Sequence, residues 1–350
     1  MLTLIGNAPS SGSTFFADLM DSSPYTLCGP ELGLFSNQRI YSFHDFKKTP
    51  FIWSRVSSGY VKKTGLNSKR LFAYGLNEQL FCELLENSLS LDDFVENFTE
   101  RYAVIRGKEK ARVLFEKTPL NINAIKHIVE GDFDGNFVHL VRNPCFVYLS
   151  LIKRNFDPYI ASITWLLSVA KFIKYADSSR VTNIKYENLV KDPFGMASSV
   201  LRNVVGVNYS AEKIEKCYKS NKYRSFFAER IESWGVPNYG HVKNANKVSP
   251  LKSERIILKS MLEMYVNKQY AEKYDIAEIS FVDALKYFGY YDEFQSVVCG
   301  DSVVSLVPKA RLGGAKLLLG KYIEDVFCGD AKLSEIKTYL KPCEWRKLNS

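Results

Sequence analysis

The sequence predicts an α/β protein built on a doubly wound, mainly parallel sheet, and three observations carry that prediction. Short apolar runs at 2–6, 25–28, 112–116, 137–141 and 181–186 have the length and continuity of buried strands. Helical patterns separate them, which is the alternation of strand–helix–strand units. The first run is followed by a loop of small residues, Gly6 to Thr14, and then by Phe15, Phe16, Leu19 and Met20 at helical spacing.

In chain order, Leu2-Thr3-Leu4-Ile5 feeds the loop Gly6-Asn7-Ala8-Pro9-Ser10-Ser11-Gly12-Ser13-Thr14. Free backbone N–H groups at the start of the following helix, the positive end of its dipole and the hydroxyls of Ser11, Ser13 and Thr14 together make a phosphate loop. The loop departs from the ATPase pattern G-x-x-x-x-G-K-[ST], because Asn7 and Ser13 stand where Gly and Lys are required. The second strand leads into Gly29-Pro30-Glu31 and sets a carboxylate at its exit. An insertion with aromatic and basic residues spans 32–111, with a helical stretch near 78–97. The third strand runs into Phe115-Glu116-Lys117-Thr118-Pro119-Leu120-Asn121. The fourth ends at Arg142-Asn143-Pro144, where Pro144 opens a helix. At ~1.5 Å per residue Ser150 lies roughly 9 Å along that helix, with Arg154 one turn further on the same side. A guanidinium fork, a hydroxyl and a second charge suit a dianionic phosphate. The fifth strand exits through Ile184-Lys185-Tyr186-Glu187-Asn188-Leu189, four residues before Pro193. Any one of these elements alone is compatible with a solvated turn or a surface ion pair; the ordered set is not.

In that order and spacing, over residues 2–250, the elements resemble the PAPS-dependent sulfotransferase superfamily, in motif layout closest to its tyrosylprotein-type and bacterial members. PAPS is 3′-phosphoadenosine 5′-phosphosulfate. Pro9 to Thr14 matches the family loop P-[RK]-S-G-[ST]-T at every place but one, and residues 116–121 match E-K-[TS]-P-x-N. Arg142 and Ser150 match an arginine and a serine eight residues later, and residues 186–193 match Y-E-[DN]-L-x-x-x-P. The resemblance implies a P-loop-like sulfotransferase fold with PAPS as sulfuryl donor. It assigns Ser10, Ser11, Gly12, Ser13 and Thr14 to the 5′-phosphosulfate, Arg142, Ser150 and Arg154 to the 3′-phosphate, and Tyr186 to the same donor site. Residues 241–250 resemble the late loop that closes over the donor, with Lys243 its better phosphate contact and Lys247 a weaker one.

The resemblance also supplies a base. Aligned without gaps from the loop, Glu31 falls on the catalytic glutamate of the tyrosylprotein type, and a carboxylate in reach can take a hydroxyl's proton as its oxygen attacks sulfur. The four histidines fit that role poorly: His139 alternates within an apolar strand, His127 lies on a helix, and His44 and His241 fall outside the motifs. The mismatched loop position is Ser10, where the family carries an Arg or Lys on the sulfuryl group and bridging oxygen. Losing such a preorganised cation costs on the order of 10²–10³ in rate. Lys117 is expected to replace it, since its strand ends at the carboxyl edge of the sheet, where ligands bind in open α/β folds.

Composition bounds the rest. With 350 residues, 46% apolar and 24% charged, the chain is an ordinary globular protein. The expected layout is one sulfotransferase domain over 1–275, with the insertion 32–111 shaping the acceptor pocket, and an extension 276–350 of unassigned role. No basic and apolar leader opens the sequence, and the longest apolar stretch, near 163–173, contains Lys171 and is short of a ~18-residue span, so a cytoplasmic enzyme without a transmembrane segment is expected. Seven cysteines, odd in number and without a C-x-x-C pair, read as reduced thiols. No metal-ligating cluster is visible, and sulfuryl transfer from PAPS needs no metal. The net charge of +9 suits a polyanionic donor; its dispersal argues against nucleic acid. The acceptor stays open between a glycan or glycolipid, a peptide tyrosine and a small phenol or alcohol, with an amine second to a hydroxyl. Two other readings stay open as well: a P-loop nucleotide kinase, disfavoured by the missing lysine, and a PAPS-binding scaffold with little or no turnover, suggested by Ser10.

Overall fold

The computed structural model describes residues 1–36, 38–48, 71, 74–131, 133–154, 156, 158–220 and 250–299. Its first elements are β1 (Leu2–Asn7), α1 (Ser13–Asp21), β2 (Thr26–Cys28), α2 (Phe43–Lys48), α3 (Glu78–Asn87), α4 (Leu91–Ile105) and β3 (Val113–Lys117). Then follow α5 (Ile125–Val129), β4 (Gly135–Val141), α6 (Pro144–Lys153), α7 (Pro158–Tyr175), β5 (Val181–Lys185), α8 (Tyr186–Lys191), α9 (Pro193–Asn203) and α10 (Ala211–Lys219). The last are α11 (Lys252–Met261), β6 (Tyr265–Val266), α12 (Lys268–Tyr274), β7 (Ile279–Ser280), α13 (Phe281–Tyr287) and α14 (Tyr291–Cys299). They divide into a first unit of Met1–Asn7, Gly12–Leu140 and Asp177–Lys243, and a second of Ala8–Ser11, Val141–Ala176 and Asn244–Ser350.

The first unit holds a five-stranded sheet in the order β2-β3-β1-β4-β5. β1 runs parallel to both neighbours, with Ile5 opposite Lys117 of β3 and Val138 of β4, and β2 runs parallel to β3. The five strands are those expected from the apolar runs, because strands covered on both faces are mostly apolar, and β1 and β3 are buried throughout. Helix α1 covers the sheet with Phe16, Leu19 and Met20, packed with Ile5, Val138 and Leu140. From β1 the chain turns to β2 and β3 on one side and then to β4 and β5 on the other. The carboxyl end of β1 is therefore the topological switch point of an open α/β sheet, the usual place for a ligand.

Two boundaries differ from expectation. Tyr186 does not end the fifth strand but opens α8, after Lys185 in extended conformation. The helical stretch near 78–97 is two helices, interrupted where Ser88 turns extended and Ser90 caps α4 by accepting from the Asp93 N–H at 3.1 Å. Around them Tyr74, Phe81, Phe94, Phe98 and Tyr102 are fully or almost fully buried and form an aromatic core for the insertion. The end of α1 is tied to β2 by Asp21, which pairs with Arg106 at 2.6 Å and Lys108 at 3.0 Å and accepts from the Cys28 N–H at 2.9 Å.

The second unit is helical with a small antiparallel pair, β6 with β7. Its centre is Trp165 of α7, whose ring meets Phe281 at 5.3 Å and Phe288 at 6.1 Å. Phe281 of α13 and Phe288 just after it thus pack on α7. Asp275 adopts a left-handed conformation (φ 54°) and is pinned there by Lys171 at 2.9 Å, Lys174 at 2.5 Å and the Tyr175 hydroxyl. No helix among the described residues is long and apolar enough to cross a membrane.

Candidate active site

In the first unit the candidate base and the candidate cation are in direct contact. Lys117 Nζ donates to Glu31 Oε1 at 3.1 Å and to Thr14 Oγ1 at 3.3 Å, joining the exit of β2, the end of β3 and the first turn of α1. The Lys117 side chain is 3% exposed and that of Glu31 27%, so the carboxylate is the member that reaches solvent. No helix starts at Glu31.

The backbone that carries Glu31 is fastened on both sides. Before it, the Tyr74 hydroxyl donates to Pro30 O at 2.7 Å. After it, the Leu32 and Gly33 N–H groups donate to Glu116 Oε1 at 2.9 and 3.3 Å. Glu116 is wholly buried and also accepts from Thr118 Oγ1 at 2.6 Å and Asn121 Nδ2 at 2.5 Å. Burial pushes its carboxyl above the ordinary glutamate range, against the lowering effect of those four donors. A buried carboxylate saturated by donors is a rigid anchor. The sequence motif contains Glu116 without giving it a role and says nothing of Tyr74; the signal for Glu116 was its place beside Lys117 in a matched motif.

The loop itself combines strain and close approach. Gly12 caps α1 at φ 92°, and no side chain caps the helix there. A Cβ on Gly12 would lie 2.3 Å from Cδ2 of Tyr186, so the glycine serves both its left-handed conformation and the Tyr186 ring against it. Ser13 is buried and Thr14 meets Lys117.

In the second unit two guanidinium groups converge on Ser10. Arg142 Nη1 donates to Ser10 O at 3.0 Å, and Arg154 Nη1 donates to Ser10 Oγ at 3.1 Å. Ser10 is itself left-handed at φ 72°, rare for a residue with a Cβ. Arg142 lies over the Phe146 ring at 5.7 Å, and its carbonyl accepts from Trp165 Nε1 at 2.9 Å. The tail residues that pack on Trp165 thereby hold Arg142, a connection across more than a hundred residues of sequence that no motif records. Arg154 ends α6 and lies over Phe156 at 5.3 Å. Ser150 is half-buried on α6 and makes no hydrogen bond to either arginine among the described residues. Ser11 Oγ is buried with no hydrogen-bond partner among the described residues. Lys243 and Lys247 lie outside the described residues.

The three described histidines stay away from this chemistry, and His241 lies outside the described residues. His139 is buried, bonds through Nδ1 to Asn183 Oδ1 at 2.9 Å, and is lowered by burial to a pKa of about 4. His127 stacks on Tyr41 at 4.0 Å, and His44 is exposed on α2. Among the described residues no three His, Cys, Asp or Glu side chains are grouped to hold a metal.

In the first unit α1 opens without a side-chain cap, and in the second the Ser11 hydroxyl is buried without a partner among the described residues while two guanidinium groups converge on Ser10; each set has donor chemistry that suits the phosphate or sulfate oxygens of a group such as PAPS. Comparison with known proteins gives the family. A model of the sulfotransferase family matches residues 3–210. No curated protein matches the chain. Among solved structures it is similar to the sulfotransferase domain of the Synechococcus PCC 7002 olefin synthase, at 20% identity, TM-score 0.41, over 68% of this chain and 88% of that one. It is also similar to the sulfotransferase domain from the curacin biosynthetic pathway, at 19% identity, TM-score 0.45, over 75% and 96%. A third is sulfotransferase STF9 from Mycobacterium avium, at 12% identity, TM-score 0.35, over 79% and 78%.

Proposed function

Because this chain belongs to the sulfotransferase family, we propose that it moves a sulfuryl group from PAPS to a hydroxyl of an acceptor by in-line displacement. The observation that carries the proposal is the Glu31–Lys117–Thr14 group, a solvent-reaching carboxylate 3.1 Å from a nearly buried ammonium that also meets the phosphate loop. PAPS supplies the sulfuryl group on a bond whose leaving oxygen departs with the nucleotide PAP. Glu31 takes the acceptor's proton as the acceptor oxygen bonds to sulfur and the bond from sulfur to the phosphate oxygen breaks, its electron pair staying with PAP.

Lys117 has two parts in this scheme. Before reaction it holds the Glu31 carboxylate in place through their 3.1 Å contact. As Glu31 gains the proton its negative charge disappears, and the Lys117 charge is no longer offset just when negative charge grows on the leaving oxygen. Arg142, with Ser150, is proposed to bind the 3′-phosphate; Ser11, Ser13 and the N–H groups that open α1 bind the 5′ side, with Tyr186 walling the loop. The acceptor is a glycan or glycolipid, a peptide tyrosine or a small phenol or alcohol, and residues 32–111 help to shape its pocket.

Calorimetric titration with PAP beside ATP tests the donor, and labelled-sulfate transfer from PAPS into a cell extract tests turnover. PAP preference with transfer supports the proposal. ATP preference replaces it with a kinase, and PAP binding without transfer to any acceptor replaces it with a scaffold.

A further inference from the structure

The loop's odd residue is Ser10, and within the second unit, to which it belongs, a charge reaches it. Arg154 Nη1 lies 3.1 Å from Ser10 Oγ, so a guanidinium reaches the side chain at the position of the missing cation. We infer that Arg154, reaching the loop from the end of α6, is the cation that replaces the missing loop Lys or Arg and binds the sulfuryl oxygens of the donor. This rests on the proposed sulfuryl transfer and redistributes its charges, leaving the 3′-phosphate to Arg142 and Ser150.

Three features make the substitution coherent. Ser10 has a short side chain in a left-handed conformation, and its hydroxyl accepts from the incoming guanidinium. Arg154 is held in place, because the helix ends there with the Arg154 N–H on Leu151 O at 2.9 Å, and the guanidinium lies over Phe156 at 5.3 Å. The negative end of the α6 dipole favours a cation at that place. A third cation at position 10 would stand beside Arg142 and Arg154 together, so the serine and Arg154 are complementary choices. Lys117 serves differently, since it is paired with Glu31. In the transfer step Arg154 exchanges no proton and no electron; it lowers the cost of charge on oxygens that the breaking bond enriches.

The test is a binding experiment first. Adenosine 5′-phosphosulfate differs from adenosine 5′-phosphate by the sulfuryl group, and PAP differs from it by the 3′-phosphate. Arg154→Ala is expected to reduce the preference for the phosphosulfate by about 10- to 150-fold, the loss of one charge-assisted hydrogen bond, while the preference for PAP stays within a few-fold of wild type. Arg154→Lys should keep part of the phosphosulfate preference. Transfer by Arg154→Ala should fall by about 10²–10³-fold, and adding Ser10→Arg should restore at least tenfold. Loss of the PAP preference with the phosphosulfate preference intact makes Arg154 a 3′-phosphate ligand and overturns the inference, as does absence of rescue by Ser10→Arg in a folded double variant. A wild-type protein that neither prefers PAP to ATP nor transfers sulfate overturns the proposed function, and this inference with it.

Discussion

Glu31→Gln separates a catalytic carboxylate from a structural one, and the geometry sets the size of both effects. The substitution removes one charge from a pair in which Lys117 is 3% exposed and Glu31 27%. An exposed pair is worth ~0–1 kcal/mol, and orphaning a buried charge costs ~3–5 kcal/mol. Here Lys117 keeps Thr14 Oγ1 at 3.3 Å and regains an amide oxygen from the glutamine, so the expected loss of stability is about 1–2 kcal/mol. For a chain of this size that lowers the melting temperature by roughly 1–3 °C. The rate effect is larger, because an amide cannot take a proton: kcat should fall by about 10²–10⁴-fold at saturating PAPS and acceptor, with PAP affinity within a few-fold of wild type. Labelled-sulfate transfer, calorimetry with PAP and a melting curve on the same sample read the three quantities. A melting shift with kcat within tenfold of wild type would mean that the ion pair is structural and the base lies elsewhere.

Arg142→Ala should weaken PAP about 10- to 150-fold while weakening adenosine 5′-phosphate far less; equal weakening of the two nucleotides removes Arg142 from the 3′-phosphate. Gly12→Ala forces a Cβ to 2.3 Å from the Tyr186 ring at φ 92°, so it should cost about 1–3 kcal/mol of stability and most of the PAP affinity, and wild-type values for both would contradict the close approach. His139 gives a pH dependence whose sign follows from its depressed pKa of about 4, caused by burial. The unfolded chain binds the proton first as pH falls from about 6.5, so stability is lost between about pH 6.5 and 4, by roughly 3 kcal/mol in all. Denaturant melts of wild type and His139→Gln across that range should show a flatter curve in the variant; parallel curves would refute the assignment.

The strands were legible because a strand covered on both faces is mostly apolar: β1 and β3 are buried throughout, and the polar Asn7, Glu116 and Lys117 fall at their ends, where the site begins. Helix boundaries were less legible where polar side chains decide them. Ser90 interrupts an amphipathic run by capping α4; at the start of α8, where Tyr186 leaves the strand, Lys185 is extended and no side chain caps the helix, so that boundary leaves no capping signal in the sequence. The residue types of the site were legible one motif at a time. Their partnerships were not, since Glu31 and Lys117 stand 86 residues apart and Ser10 and Arg154 stand 144 apart. Local patterns carry no record of such distances; strand order and the length of α6 determine them. Lys243 lies outside the described residues, so its place in the donor site rests on the resemblance alone.

A base is useful only if its carboxylate stays where the acceptor's hydroxyl arrives, and Glu31 sits on a segment with no regular structure of its own. Its rigidity comes from outside the motif that names it. Tyr74 holds Pro30 from the insertion, and Glu116 holds Leu32 and Gly33 from β3, so the residues on either side of Glu31 are fixed by groups 44 and 84 residues away. Glu116 precedes Lys117 in the same strand, and alternation sends their side chains to opposite faces. One face then anchors the backbone of the base while the other presents the ammonium that pairs with its carboxylate. Adjacent glutamate and lysine at the end of β3 thereby position a single residue twice, which explains why the pair occurs as a dipeptide. Insertion of one residue between them would turn one side chain to the wrong face and disable the base without touching it.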